Sequence, residues 1–108
     1  MSKILRDECI PRPLAQYLPG HYVRTVPQMG WASIVNGDLI DHAEADFEVF
    51  ITVDKGILYQ QNLRSTILGF IVLRVRSNRL EDLLPLVHDI LANLTRIKAG
   101  DIVEVEQP

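Results

Sequence analysis

The sequence has little cysteine: Cys9 stands alone among 108 residues. A lone cysteine excludes an internal disulfide and any Cys-x-x-Cys metal site, and it favours a reducing, cytoplasmic setting. The three histidines, His21, His42 and His88, show no ligand spacing of the His-x3-His kind, so they do not point to a histidine-held zinc. No apolar run approaches the roughly 20 residues of a membrane span, so no membrane partner is expected. The opening Met1-Ser2-Lys3-Ile4-Leu5-Arg6 has no long apolar stretch of the secretory kind. Internal repeats and low-complexity segments are also missing. There is no basic excess either. The net charge of −3 argues against strong non-specific binding of nucleic acid by the surface as a whole.

What is present suits one α/β domain over residues 1–108. Hydrophobic residues make up 47% of the chain, enough for one core. Charge is unevenly distributed. Asp38, Asp41, Glu44, Asp46, Glu48 and Asp54 fall in a segment without Lys or Arg, and Lys55, Arg64, Arg74, Arg76 and Arg79 fall in the next, without acids. An acidic segment followed by a basic one suits a metal site beside a phosphate-binding rim. Two solvated faces give the same pattern.

Lys3 to Arg6 reads as a first strand. Pro11 opens a helix carrying Leu14, Tyr17 and Leu18 on one face, and Pro19-Gly20 ends it. A second strand is expected within His21–Val26, then a short turn of helix around Trp31 within Pro27–Val35. Asn36-Gly37-Asp38 is a turn and cap signal for a helix with Leu39, Ile40 and Ala43 on its apolar stripe. Phe47–Val53 is rich in β-branched and aromatic residues and reads as a strand. Ile67–Leu73 is almost continuously apolar, as a strand covered on both faces requires. Leu80, Leu83, Leu84, Val87, Ile90, Leu91 and Leu94 keep helical spacing for four turns, with Asn78 as cap and Glu81 completing a capping box. Pro85 within that pattern predicts a kink or a late start. Arg96, Lys98 and Gly100 suit the helix exit, and Ile102 to Val105 reads as a last, edge strand. Alternating strands and helices predict a three-layer sandwich around a mostly parallel sheet of about five strands.

In open α/β sheets, ligands gather outside the carboxyl ends of the strands. Asp7-Glu8, Asp54-Lys55 and Arg74 each follow a strand directly, and Asp38 opens a helix near the same edge. Asp7, Asp38 and Asp54 are therefore expected to converge. Clustered carboxylates repel one another unless a cation or a proton lies between them. Hard cations such as Mg2+ or Mn2+ accept such oxygen ligands together with water and phosphate. Lys55, Arg74, Arg76 and Arg79 would then hold backbone phosphates. The alternative is that the same aspartates only cap helices and turns.

These residues carry a resemblance. Asp7-Glu8-Cys9-Ile10-Pro11 resembles the "DEN-hydrophobic-P" opening of a family of small bacterial PIN-like proteins. The stretch from Gly37-Asp38 through Val49-Phe50-Ile51-Thr52-Val53-Asp54-Lys55 resembles that family's "D … A … VLVTxDKD" block. Ser77-Asn78-Arg79-Leu80 before a leucine-rich helix is similar as well. The resemblance covers almost the whole chain. It implies a PIN-like fold related to the ribonuclease toxins of toxin–antitoxin pairs, which cleave RNA with acidic residues and Mg2+ or Mn2+. Asp7, Asp38 and Asp54 match the catalytic, metal-binding acids, while Glu8 and Lys55 match neighbouring positions. It also implies a small antitoxin-like partner and a homodimer. Two positions depart from the pattern: Cys9 replaces the usual Asn, and Gly56 stands where a second acid often follows.

Other residues divide between roles. Cys9 reads as a buried or half-buried thiol rather than a nucleophile. Trp31 and Tyr59 can stack on RNA bases, although Trp31 also suits packing beneath a loop. Arg74 and Arg76 share a face if their strand continues. Three functions compete: a metal-dependent ribonuclease, a degenerate PIN-like module that binds a partner or dimerises, and a phospho-acceptor signalling domain. The last also places acids after the first and third strands, but it needs a late lysine after a strand, which Lys98 does not supply.

Overall fold

The computed structural model describes residues 3–7, 9–32, 34, 36–53, 56, 66–77 and 79–106. In chain order these form β1 (Lys3–Arg6), a 3-10 helix (Arg12–Tyr17), β2 (Tyr22–Thr25), a 3-10 turn (Pro27–Met29), α1 (Asn36–Asp46), β3 (Val49–Thr52) and β4 (Gly69–Arg74). Then follow α2 (Leu80–Leu83), a 3-10 turn (Leu84–Leu86), α3 (Val87–Leu94) and β5 (Ile102–Glu106).

The strands lie in the order β2-β1-β3-β4-β5, and all four neighbouring pairs are parallel. The expected mostly parallel sheet of about five strands is present, and among the described strands it is wholly parallel. Each connection must cross over a face of the sheet, because parallel neighbours cannot be joined by a tight hairpin. The segment after β1 carries the chain to one side of it, and the segment after β2 returns past it to β3. The strand order therefore reverses between β1 and β3.

The pleat sorts the strand residues between two cores. Ile4, Val23, Val49, Ile51, Ile71, Leu73 and Val105 face one side, where Leu14, Leu83, Leu86, Ile90 and Leu94 cover them. Leu5, Phe50, Phe70 and Val72 face the other, under Leu39, Ile40 and Ala43 of α1. Phe50 and Phe70 stack with their ring centres 6.1 Å apart. Residues 69–73 of β4 are fully buried, as their continuous apolar run requires.

The 80–94 pattern is one helical unit broken at Pro85, where the chain tightens to 3-10 geometry. Proline cannot supply the N–H that a continuous α-helix needs there. The capping reading changes. Asn78 lies outside the described residues, and the residue preceding α2 is Arg79, which makes no side-chain cap bond. Ser77 Oγ instead accepts the Arg79 N–H at 3.1 Å and donates to Asp82 Oδ2 at 2.5 Å. Glu81 pairs with Arg79 at 2.6 Å rather than reaching back to a cap. The expected helix after Pro11 is a 3-10 helix, and α1 already begins at Asn36, so Asp38 lies inside its first turn. No helix among the described residues is long and apolar enough to cross a membrane.

Candidate functional site

The reversal between β1 and β3 brings the carboxyl ends of those two strands side by side. The backbone N–H of Asp7 donates to the Ile51 carbonyl at 3.0 Å, which carries the β1–β3 pairing one residue past β1. Thr52, fully buried at the end of β3, donates its hydroxyl to Asp7 Oδ2 at 2.7 Å. This bond fixes the rotamer of a half-buried carboxylate. Asp7 and Thr52 follow the pleat of Leu5 and Phe50, so both point to the face covered by α1.

The position of α1 relative to this edge follows from its link to β3. Only Phe47 and Glu48 separate the two, and the Glu48 N–H bonds to the Lys3 carbonyl at the amino end of β1. The helix therefore ends at the amino edge. Its 11 residues, about 16 Å at 1.5 Å per residue, carry its start back toward the carboxyl edge. Asp38 sits exposed in that first turn, where the helix dipole favours an acid. Its backbone carbonyl meets His42 Nδ1 at 2.8 Å.

Asp54, Lys55 and Glu8 lie outside the described residues, as does Tyr59. Among the described residues no three His, Cys, Asp or Glu side chains group closely enough to hold a metal ion. Gly56, the position that departs from the acidic pattern, is exposed. Several acids of the 38–54 segment have structural partners. Glu44 Oε2 accepts from Thr66 Oγ1 at 2.6 Å, tying α1 to the chain entering β4, and Glu48 Oε1 accepts the Lys3 N–H at 3.2 Å.

The basic residues divide. Arg74 ends β4 on the α1 side of the sheet and pairs with Glu104 of β5 at 3.5 Å, both side chains about half exposed. Such a pair is worth about 0–1 kcal/mol, so it leaves Arg74 available to another anion. The strand stops at Arg74, so the shared face expected for Arg74 and Arg76 is not formed, and Arg76 is exposed beyond it. Cys9 is exposed, not buried, because it lies in the turn after β1 rather than in a strand. Trp31 packs edge-on against His42 at 5.7 Å and Phe47 at 6.1 Å, which accounts for it as part of the α1-side core.

Two residues that sequence reasoning passed over matter here. Thr52 is a hydroxyl at the end of an otherwise apolar strand, two positions before Asp54, and that contrast was its only signal. Arg6 is 2% exposed, and its Nη1 donates to the carbonyls of Pro11 at 2.7 Å and Arg12 at 3.1 Å. Burial holds its guanidinium below the usual arginine range, and the neighbouring Arg12 charge acts in the same direction.

The chain matches no family model, no curated protein and no solved structure.

Proposed function

We propose that this chain is a PIN-like, metal-dependent endoribonuclease, with Asp7, Asp38 and Asp54 as its acidic set. The observation that supports this most is the bond from buried Thr52 to Asp7 where the strand order reverses, the usual ligand position in a sheet of this kind. In sequence, Asp54 follows Thr52 by two residues. Asp7 and Asp38 offer oxygen donors only, which suits Mg2+ or Mn2+ and not a soft metal. When bound, such an ion lowers the pKa of its water and stabilises charge on a phosphodiester. Thr52 holds the Asp7 carboxylate in one orientation, and Arg74, with Lys55 and Arg76, would hold backbone phosphate. The biological setting that goes with this reading is that of a toxin with a small antitoxin-like partner, acting as a homodimer in the cytoplasm.

Cleavage of a mixed RNA pool with Mn2+ or Mg2+, comparing wild type with Asp7→Asn and Asp54→Asn, tests the proposal. Cleavage abolished by both substitutions is the expected result. An absence of cleavage, or cleavage indifferent to both, would sink it. The runner-up, a degenerate PIN-like binding module, draws on exposed Gly56 in place of an acid. That reading expects a small protein to copurify with an inactive chain. The phospho-acceptor reading loses ground on topology: Lys98 precedes β5, at the amino edge, and β5 itself carries Glu104 and Glu106.

A further inference from the structure

A cleft lies at the carboxyl edge, on the opposite face of the sheet from Asp7. Its volume is about 280 Å³, and Ile10, Arg12, Thr25, Pro27 and Gln28 line it. Ligand pockets commonly span about 300–1,000 Å³, so this one suits a small group. Its lining is more apolar than polar, and its polar groups are set by one local device. The Thr25 N–H donates to Gln28 Oε1 at 2.8 Å, and the Gln28 N–H donates to Thr25 Oγ1 at 3.2 Å. This reciprocal pattern has the form of a capping box. It uses an acceptor on each side chain. Besides a second lone pair on each oxygen, the two side chains retain donors for the cleft: the amide NH2 of Gln28 and the hydroxyl hydrogen of Thr25.

The charged groups around the cleft have the same bias. Arg12 is exposed at its rim. Arg6 lies behind it, in register with Thr25 on the neighbouring strand and 98% buried. Among the described residues neither arginine pairs with a carboxylate, and Arg6 Nε has no hydrogen-bond partner. Two guanidinium groups near one another repel unless an anion lies close by. The Gln28 amide NH2, the Thr25 hydroxyl and the Arg12 guanidinium, with Arg6 behind them, give the polar part of this otherwise apolar cleft donors suited to an oxyanion.

The geometry points to a phosphate-binding site in this cleft, with Arg12, Gln28 and Thr25 touching the anion and Arg6 supplying positive potential from beneath. The site stands apart from Asp7 and does not rest on the nuclease proposal. Its ligand is a phosphate group, either free or carried on a nucleoside.

The test is titration of the 15N-labelled chain with inorganic phosphate and, separately, with adenosine 5′-monophosphate, read at the Thr25 and Gln28 amides against chloride at matched ionic strength. Gln28→Glu keeps the acceptor that holds the Thr25 N–H while replacing the NH2 donor with negative charge, so the turn remains formed. Arg12→Gln alters an exposed side chain. Saturable shifts are expected for wild type, with affinity lowered about tenfold or more in each variant, as the loss of a hydrogen bond to a charged group implies. Tighter binding of the nucleotide would assign the site to a nucleoside phosphate, and tighter binding of phosphate to the free ion; both orders support the site. Shifts no different from those with chloride, or equal affinity in wild type and both variants, would overturn it. Asp7→Asn is expected to leave phosphate binding unchanged, which separates a failure here from a failure of the nuclease reading.

Discussion

At the scale of single residues, the two sides of the carboxyl edge show how one side chain sets the chemistry of its neighbour. Thr52 turns a strand end into a support for Asp7. Replacing it by valine keeps the shape and removes the donor. Thr52→Val is expected to cost about 1 kcal/mol in urea unfolding, the ordinary net worth of one such bond. On the proposed nuclease it should also lower RNA cleavage, while Thr52→Ser keeps both. If valine and threonine are equal in stability, the bond does not hold Asp7. Arg6 shows the opposite case, a charge buried among backbone carbonyls without a carboxylate among the described residues. Its burial could not be read from sequence, because an arginine at a strand end normally signals an exit to solvent. The chain reversal that brings the Pro11 and Arg12 carbonyls over it is a tertiary event. The place of Asp7 at the carboxyl edge was legible, since a residue directly after a parallel strand falls there whatever the strand order.

At the scale of elements, β4 and the segment after α3 are fitted to one another through a glycine. A Cβ on Gly69 would stand 2.8 Å from Ile97 Cδ1 and 2.9 Å from its Cγ1, closer than such atoms can approach. The side chain of Ile97 must shift to admit it, so Gly69→Ala is expected to destabilise by about 0.5–1.5 kcal/mol, the cost of an off-rotamer side chain. Ile97→Ala opens that space, so the double variant should lose less than the sum of the two singles. Additive losses would mean the contact does not govern the site. The Gly69 to Arg74 strand was legible because an apolar run of this length suits a strand buried on both faces. The crowding at its first residue was not, because Ile97 is 28 positions away in sequence and meets it only in the folded chain. Pro85 acted as its chemistry demands, dividing the 80–94 pattern into α2, a 3-10 turn and α3.

At the scale of the whole molecule, the two cores share one sheet. Leu86 lies in the core opposite α1, and Trp31, the sole tryptophan, packs against the α1-side core. Leu86→Ala removes a fully buried side chain and should cost about 2–5 kcal/mol. Because the same strands carry both faces, the loss should move Trp31 fluorescence and far-ultraviolet circular dichroism together to one lower midpoint. A fluorescence transition that stays in place while the dichroism shifts would show that the two faces unfold separately.

The sequence by itself determined the class of the molecule. Period-two and period-3.6 apolar patterns are local, so they specified the strands, α1 and the broken helix after Arg79, and the alternation of these elements required a largely parallel sheet between helical layers. The placement of Asp7 after β1 belongs to this same local information. Only the tertiary structure decided the order β2-β1-β3-β4-β5 and hence that Asp7 meets Thr52 across a reversal point. Strand order depends on which long-range pairings bury both faces best, and no local pattern encodes it. The cleft beside Arg12 has the same origin. Thr25 and Gln28 bond each other locally, but only the pairing of β1 with β2 sets them beside Arg6 and Arg12.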